Sequence, residues 1–424
     1  MFETAPENAA PGRVNRTLRQ TFLSLRHRNF RLYFTGQLIS NTGNWLTTVA
    51  LTLLVLAITK SGLAVGLIAA CQFGPILILS PWAGAVADRS DKRRFLIATQ
   101  SLEMVESVGL AILAFLPHPP LAGLYILAIA GGILLAFDNP MRRSFVSEMV
   151  APDAIPNAVV LYSTVVNISR VFGPALAGLL IVTLGYGWCF AIDAASYIAV
   201  LICLFMMRDP ELYRRPPQPR HGGEVREGLR YVRETPTLWV SFIMLAAIGT
   251  LAYNFNVTLP LFVTDSLGHS ATVFTILYSV LSAGAVVSGL LVAHRGLVHM
   301  RHIIAGAIAM GVSLLLLAAV PTVALAIPVV FLVGMASILY LTPTTAIVQV
   351  EGRHEMHGRV LALQTVLIAG TTPLGGPLLG WLADTAGGRA PLVLGGVACL
   401  GAATFGVVAR RRALRSVTAS PRRH

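Results

Sequence analysis

Glu103 and Glu106 stand three residues apart in an otherwise apolar run of a 424-residue chain in which only 12% of residues are charged. At ~1.5 Å per helical residue they lie ~12 and ~16 Å beyond Phe95, near the middle of a ~30 Å hydrocarbon layer. Arg170 lies ~21 Å beyond Pro156 in another apolar run by the same arithmetic. A carboxyl group at such a depth can hold a proton while dry and release it when a guanidinium or water approaches, as proton-coupled exchange requires. A static ion pair that locks helices together is the other reading of the same three residues. Glu103 and Glu106 share a helical face with Gln100 and Ser107, whereas Asp193, close to the start of its run, reads as a solvated interfacial acid.

Uncharged polar residues form a second pattern. Gln37, Asn41, Asn44 and Thr48 recur at i, i+4, i+7 and i+11, one face of a helix. Asn254 and Thr258 make a shorter stripe, and Ser337, Tyr340 and Thr344 another. Such stripes line a watery cavity or bond helices to one another. A cavity of amides, hydroxyls and aromatic rings with few fixed charges suits an amphipathic organic solute.

The elements that must position these groups follow from composition. With 55% hydrophobic residues and a mean hydropathy of +0.71, the chain is too apolar to surround a soluble core with a polar surface. Runs long enough to cross a bilayer fall near 30–58, 64–87, 95–116, 121–141, 156–183, 186–207, 237–263, 272–294, 302–320, 322–348, 358–383 and 390–409. They are rich in Gly, Ala and Leu and show no barrel-like alternation, so the expectation is an all-α membrane protein with twelve transmembrane helices.

The first 29 residues are polar and resemble no signal peptide. Within them 13–28 is basic and mildly amphipathic, with Leu18, Phe22 and Leu25 on one face among Arg16, Arg19 and Arg26, which predicts a short helix on the membrane surface. The net charge of +13 would suggest nucleic acid in a soluble protein. Placing the amino terminus in the cytoplasm, however, puts nearly all of the 32 Lys and Arg on that side; the exceptions are Lys60 and Arg389 outside and Arg170 within a span. The positive-inside rule thus accounts for the charge, puts both termini in the cytoplasm of an inner-membrane protein and leaves no role for nucleic acid.

Cys71, Cys189, Cys203 and Cys399 are scattered through apolar runs and read as small buried hydrophobes. His354-Glu355-Met356-His357 has its histidines at i, i+3 in a loop, so it reads as loop charge, with no metal expected. No G-x-x-x-x-G-K-[ST] loop occurs, so ATP is not expected as the direct energy source; the expectation is a protein with no cofactor and no enzymatic activity.

The chain divides into a segment 1–29, a six-span half 30–207, a linker 208–236, a second six-span half 237–409 and a tail 410–424. The linker joins RRPPQPRHGG to EVREGLRYVRE, a flexible stretch followed by a short surface helix. Pro140 matches Pro343, and Gly173-Pro174 matches Gly376-Pro377, both at an offset of 203. Val86-Ala87-Asp88-Arg89 matches Val292-Ala293-His294-Arg295 at 206. Two pseudo-symmetric six-helix bundles that rock against each other about a central site are the physical reading of that repeat.

The charge is densest in GAVADRSDKRR, residues 84–94, between spans 2 and 3. Orientation explains Lys92, Arg93 and Arg94, but Asp88 and Asp91 fit a latch between acids and bases better. This stretch resembles the loop signature G-x-L-A-D-R-x-G-R-[KR]-x of the major facilitator superfamily, with Gly84, Ala87, Asp88, Arg89, Lys92 and Arg93 in place, Val86 for the Leu and Asp91 for the second Gly. FRLYFTGQLISNTGNWL, LAVGLIAACQFGPILILSPWAG, AFDNPMRRSFVSEMV, IPNAVVLYSTVVNISRVFGPALAG and EGLRYVRETP are similar to its bacterial twelve-helix exporters of macrolides, drugs and enterobactin. The resemblance implies a cytoplasmic gate of Gly84, Asp88, Arg89, Asp91, Lys92 and Arg93 with Asp138 as its charge partner, and a central cavity lined by spans 1, 4, 7 and 10. It also relates GPALAG (Gly173, Pro174 and Gly178) to the antiporter motif G-P-x-x-G-G, with Ala177 for the first terminal Gly and Ser169 where an upstream Gly belongs. The expectation is a monomeric exporter in a lipid bilayer that exchanges protons for a drug-like or metabolic small molecule. A siderophore or lysolipid exporter on the same fold and, in another class, a sensor or scaffold that transports nothing are the alternatives.

Overall fold

The structure, a computed structural model, describes residues 23–214, 224–295 and 299–419. Among these every regular element is helical. The first half comprises α1 (Arg28–Thr59), α2 (Gly62–Arg89), α3 (Lys92–Phe115), α4 (Leu121–Val146), α5 (Ile155–Thr183) and α6 (Tyr186–Phe205). A short α7 (Glu224–Glu234) lies within the linker, as its amphipathic sequence predicts. The second half comprises α8 (Pro236–Leu251), α9 (Phe255–Leu261), α10 (Ala271–Arg295), α11 (Met300–Ala319), α12 (Val323–Glu351), α13 (His357–Ala386) and α14 (Ala390–Ala419). Twelve spans among the described residues are long and apolar enough to cross a membrane, α8 and α9 sharing one of them. Ile78, Trp82, Val105, Leu290 and Leu374 point outward and are more than half exposed, which in this setting is surface for lipid chains.

The seventh span is broken, which its composition does not announce. α8 stops at Leu251 and α9 starts at Phe255, so carbonyls at the end of α8 lose their helical partners. Asn254 fills the gap: its Nδ2 donates to the carbonyls of Gly249 (3.1 Å) and Thr250 (2.8 Å). A break at membrane depth is tolerated where protein rather than lipid surrounds it, and Asn254 is buried.

Two further boundaries matter. The fourth span runs through Pro140 to Val146, beyond the expected end at 141, so Arg142 belongs to a span and is buried there rather than being a loop cation. Of the surface helix expected over 13–28, residues 13–22 lie outside the described residues, and Leu23–Arg26 form one 3-10 turn.

Two long helix pairs join the halves, α2 along α13 and α5 along α10. The first needs glycine on both sides: a Cβ on Gly62 would stand 2.6 Å from the Gly380 carbonyl oxygen, and one on Gly66 would stand 2.7 Å from Cα of Pro377. The halves differ in what they bury. Among the described residues the first encloses Gln37, Gln100, Glu103, Asp138, Arg142 and Asp193, whereas the polar groups buried in the second are hydroxyls and amides.

Candidate functional site

Arg142 is the hub of the first bundle. Its Nη1 donates to Gln37 Oε1 (2.9 Å), its Nη2 to Glu103 Oε2 (3.1 Å), and its Nε faces the Asp138 carboxylate. Asp138 also accepts from Thr99 Oγ1 (2.9 Å) and Gln100 Nε2 (3.0 Å), and Gln100 Nε2 reaches Glu103 Oε2 at 2.9 Å. Asn41 Nδ2 donates to Gln37 Oε1 (3.0 Å), and the Tyr33 hydroxyl donates to the Arg142 carbonyl (3.4 Å). Helices α1, α3 and α4 thus meet in one charged cluster, closed off by Tyr33, which stacks on Tyr162 of α5. Isolated charges at this depth would cost several kcal/mol each, so guanidinium and carboxylates hold one another in place.

Asp193 of α6 sits beside this cluster. It is 1% exposed and accepts from Thr47 Oγ1 (2.6 Å), Ser107 Oγ (2.8 Å) and Ser196 Oγ (3.4 Å), which corrects the expectation of a solvated acid. Gly43 makes room for it, since a Cβ there would stand 2.6 Å from Ser196 Oγ. Ser107 Oγ also lies 3.5 Å from Glu106 Oε2, and Glu106 rests, half-buried, against Gly131 of α4. Among the described residues, the Arg142 guanidinium and the carboxyl groups of Glu103, Asp138, Asp193 and Glu106 therefore gather within the first bundle.

Arg170 is elsewhere. Its guanidinium lies over the indole of Trp45 (5.7 Å to the ring centre), within reach of the Tyr278 hydroxyl, and no carboxylate among the described residues pairs with it. The structure therefore splits the three groups singled out in the sequence: Glu103 joins Arg142, Glu106 flanks Asp193, and Arg170 stands at the seam between halves. Of the glycines of GPALAG, Gly178 faces that seam and Gly173 faces α1 of its own half. A Cβ on Gly173 would stand 3.2 Å from Trp45 Cγ, and one on Gly178 would stand 2.7 Å from Thr275 Cβ of α10, while Pro174 is buried between them.

The polar stripes are divided too. Gln37 and Asn41 join the Arg142 cluster, Asn44 Oδ1 accepts from the Tyr197 hydroxyl of α6 (2.6 Å), and Thr48 Oγ1 donates to the Asn44 carbonyl (2.9 Å). Thr258 donates to the Asn254 carbonyl (3.2 Å), Ser337 to that of Gly334 (2.7 Å) and Thr344 to that of Tyr340 (2.7 Å). Asn254 Oδ1 and the Tyr340 hydroxyl are buried without a hydrogen-bond partner.

The charged loop clamps one end of the first bundle. Gly84 is half-buried, Arg89 ends α2 exposed, and the side chain of Asp88 lies outside the described residues. Asp91 caps α3 by accepting from the Arg94 backbone N–H (3.2 Å) and pairs with Arg214 (3.3 Å). Lys92 pairs with Glu148 (2.5 Å). Arg93 pairs with Asp209 (2.7 Å) and donates to the carbonyls of Leu204 (2.9 Å) and Phe205 (3.1 Å). The Arg93 hydrogen bond holds the Asp209 carboxyl below the usual carboxylate range. These contacts stay within the first half and the start of the linker, where Asp209 and Arg214 lie, and Asp138, expected as partner of this loop, is paired with Arg142. At the opposite end Asp384 does join the halves, accepting from Ser61 Oγ (2.8 Å) and the backbone N–H of Gly62 (2.5 Å) and Leu63 (2.9 Å).

Arg142, Asp384, Trp45 and Tyr278 are absent from the sequence-derived candidates. Arg142 carries a readable signal, since it follows Asp138 by one helical turn on an apolar run. The others are single residues whose roles arise only when two distant helices meet.

Comparison with known proteins agrees over nearly the whole length. The profile of a family described as transmembrane secretion effector matches residues 19–424. The staphyloferrin A transporter of Staphylococcus aureus is 25% identical over 366 residues, 84% of this chain and 90% of that one. The enterobactin exporter EntS of Escherichia coli is 25% identical over 364 residues, 84% of this chain and 85% of that one. Among solved structures, a bacterial homologue of the human lysosomal transporter Spinster superposes with a TM-score of 0.73 at 15% identity, covering 91% of this chain and 98% of that one. The peptide transporter PepTSo does so at 0.75 and 11% identity, covering 91% and 98%. These structural likenesses show the fold: twelve helices in two six-helix bundles.

Proposed function

For a chain that belongs to the transmembrane secretion effector family of the major facilitator superfamily, we propose a proton-coupled exporter of amphipathic organic molecules. It sits in the inner membrane with both termini in the cytoplasm, as its Lys and Arg distribution supports. The two halves rock about the α2–α13 and α5–α10 seams and expose a central site to each side in turn. The observation that carries this reading is that, among the described residues inside the first bundle, two carboxyls pair with the Arg142 guanidinium and two more, Asp193 and Glu106, lie beyond it. Arg142 is occupied by Glu103 and Asp138, while Asp193 and Glu106 have hydroxyl partners only, so they are the groups that take up and release the transported proton. The protein functions as a monomer, since each half supplies part of one seam.

Two relatives named for staphyloferrin A and enterobactin favour a siderophore as the exported molecule. The test is flux in proteoliposomes with a panel that includes both compounds and amphipathic dyes, with and without an imposed pH gradient. Gradient-dependent movement of one panel member is the expected result. Movement indifferent to the gradient would remove the coupling, and no movement across the panel would favour a sensor or scaffold.

A further inference from the structure

Arg170 is a cation at membrane depth that the first-bundle cluster does not use, and its surroundings say what it awaits. It lies fifteen residues into α5, ~22 Å from the start of that helix and near the midplane. Its Nε is buried without a hydrogen-bond partner. The groups about it are neutral rings: Trp45 of α1 at 5.7 Å, and Tyr278 of α10 and Tyr253 at the break between α8 and α9, both within its electrostatic reach. Trp45 and Tyr278 touch across the seam, 6.0 Å between ring centres, so both halves contribute. Beyond Tyr253 lie Ser337 and Tyr340, whose hydroxyl is buried and unpartnered. A guanidinium at membrane depth with no carboxylate paired to it among the described residues is costly, and π faces offset only part of that cost. Its remaining capacity is for a planar anion, which a guanidinium binds by paired hydrogen bonds while rings hold an apolar body.

We propose that the transported molecule carries a carboxylate or comparable delocalised oxyanion on an aromatic or otherwise apolar body, and that Arg170 takes the anion while Trp45, Tyr253 and Tyr278 pack the body. Gly173 is part of this device, because only a residue without a side chain lets Trp45 lie where it covers Arg170. The inference rests on the exporter reading for its meaning and narrows the solute from amphipathic to anionic. It also differs from the expectation of a site with few fixed charges. Cationic amphiphiles are excluded by the same argument, since they would meet an unpaired guanidinium.

The test is equilibrium binding to the full-length protein in nanodiscs, using three matched probes: 1-naphthylacetate, its methyl ester and 1-naphthylmethylammonium. The wild type should bind the carboxylate ~10-fold or more tightly than the other two, the range expected for a hydrogen bond to a charged partner. Arg170→Gln should lose that preference, and Arg170→Lys should keep part of it, with monodisperse elution and unchanged melting showing that both variants fold. Equal affinity for the three probes, no detectable binding of any, or a preference that survives in Arg170→Gln would overturn the proposal. Flux separates this from the broader reading. Arg170-dependent binding without transport would sink the exporter and spare the site, whereas transport of neutral or cationic compounds with no anion preference would do the reverse.

Discussion

Asp384, near the end of α13 in the second half, accepts hydrogen bonds from the backbone N–H groups of Gly62 and Leu63, the first two residues of α2 in the first half. A carboxylate of one bundle therefore caps a helix of the other. Free N–H groups and the helix dipole favour an anion there, and Ser61 Oγ adds a third bond at 2.8 Å. On the proposed orientation this end faces outward, so the cap holds the outer side of the seam shut. Asp384→Asn keeps the size and removes the charge. Its expected effect is ~1 kcal/mol, about a five-fold shift toward the outward-open state. Distances between spin labels on the outer ends of α2 and α13 report that population. An unchanged distribution would mean that the cap contributes nothing to closure.

Arg142 has two carboxylate partners at 3% exposure, so deleting it leaves two acids without a cation. Arg142→Gln should lower stability by ~3–5 kcal/mol. The double variant Glu103→Gln with Arg142→Gln should recover part of that loss, because one uncompensated acid is gone. Thermal unfolding in detergent of the wild type, both single variants and the double gives the coupling. A double variant less stable than Arg142→Gln alone would show that the cluster is not held by charge.

At one end of the first bundle, Asp209 is held below the usual carboxylate range by Arg93. A depressed folded-state pKa adds stability above the unfolded value of ~3.9, and that stability disappears as pH falls through the lower folded value. The melting difference between wild type and Asp209→Asn should therefore be flat from neutral pH to about 4 and vanish below it. Asp209 is an exposed partner, so solvent keeps the difference small. A difference that grows as pH falls would have the wrong sign for this clamp.

Gly178 meets Thr275 across the α5–α10 seam, where an added Cβ would stand 2.7 Å from Thr275 Cβ. Gly178→Ala should act as a wedge of ~1–3 kcal/mol and reduce transport several-fold. Combining it with Thr275→Gly should restore part of the rate, because the obstructing side chain is gone. Full activity of Gly178→Ala by itself would show that the seam opens at this point during the cycle with no need of close contact.

The spans are legible because hydrocarbon thickness sets their length. The run expected at 186–207 is the helix Tyr186–Phe205, and that at 390–409 begins where α14 begins. Local sequence misleads where a tertiary partner decides. Pro140 looks like the end of a span, yet the helix continues because Asp138 and Arg142, one turn apart, are both satisfied by α1 and α3. Asp193 reads as interfacial from its position, but Thr47 and Ser107 come from two other helices to bury it. The break at Ala252–Asn254 has neither proline nor glycine to mark it, and Asn254 repairs it with its own amide. Asp384 looks like an ordinary acid at a helix end until α2 is set against it.

The proposed function turns on the exchange of a proton carried by the first bundle for an organic solute. It is tested most directly in proteoliposomes that enclose a pH-sensitive dye and begin with no pH gradient. Adding a transported compound to one side should move protons the opposite way in the wild type. The same compound should move no protons through Asp193→Asn with Glu106→Gln, whose amides cannot release one. Solute flux in the wild type with no accompanying change in internal pH would contradict the account.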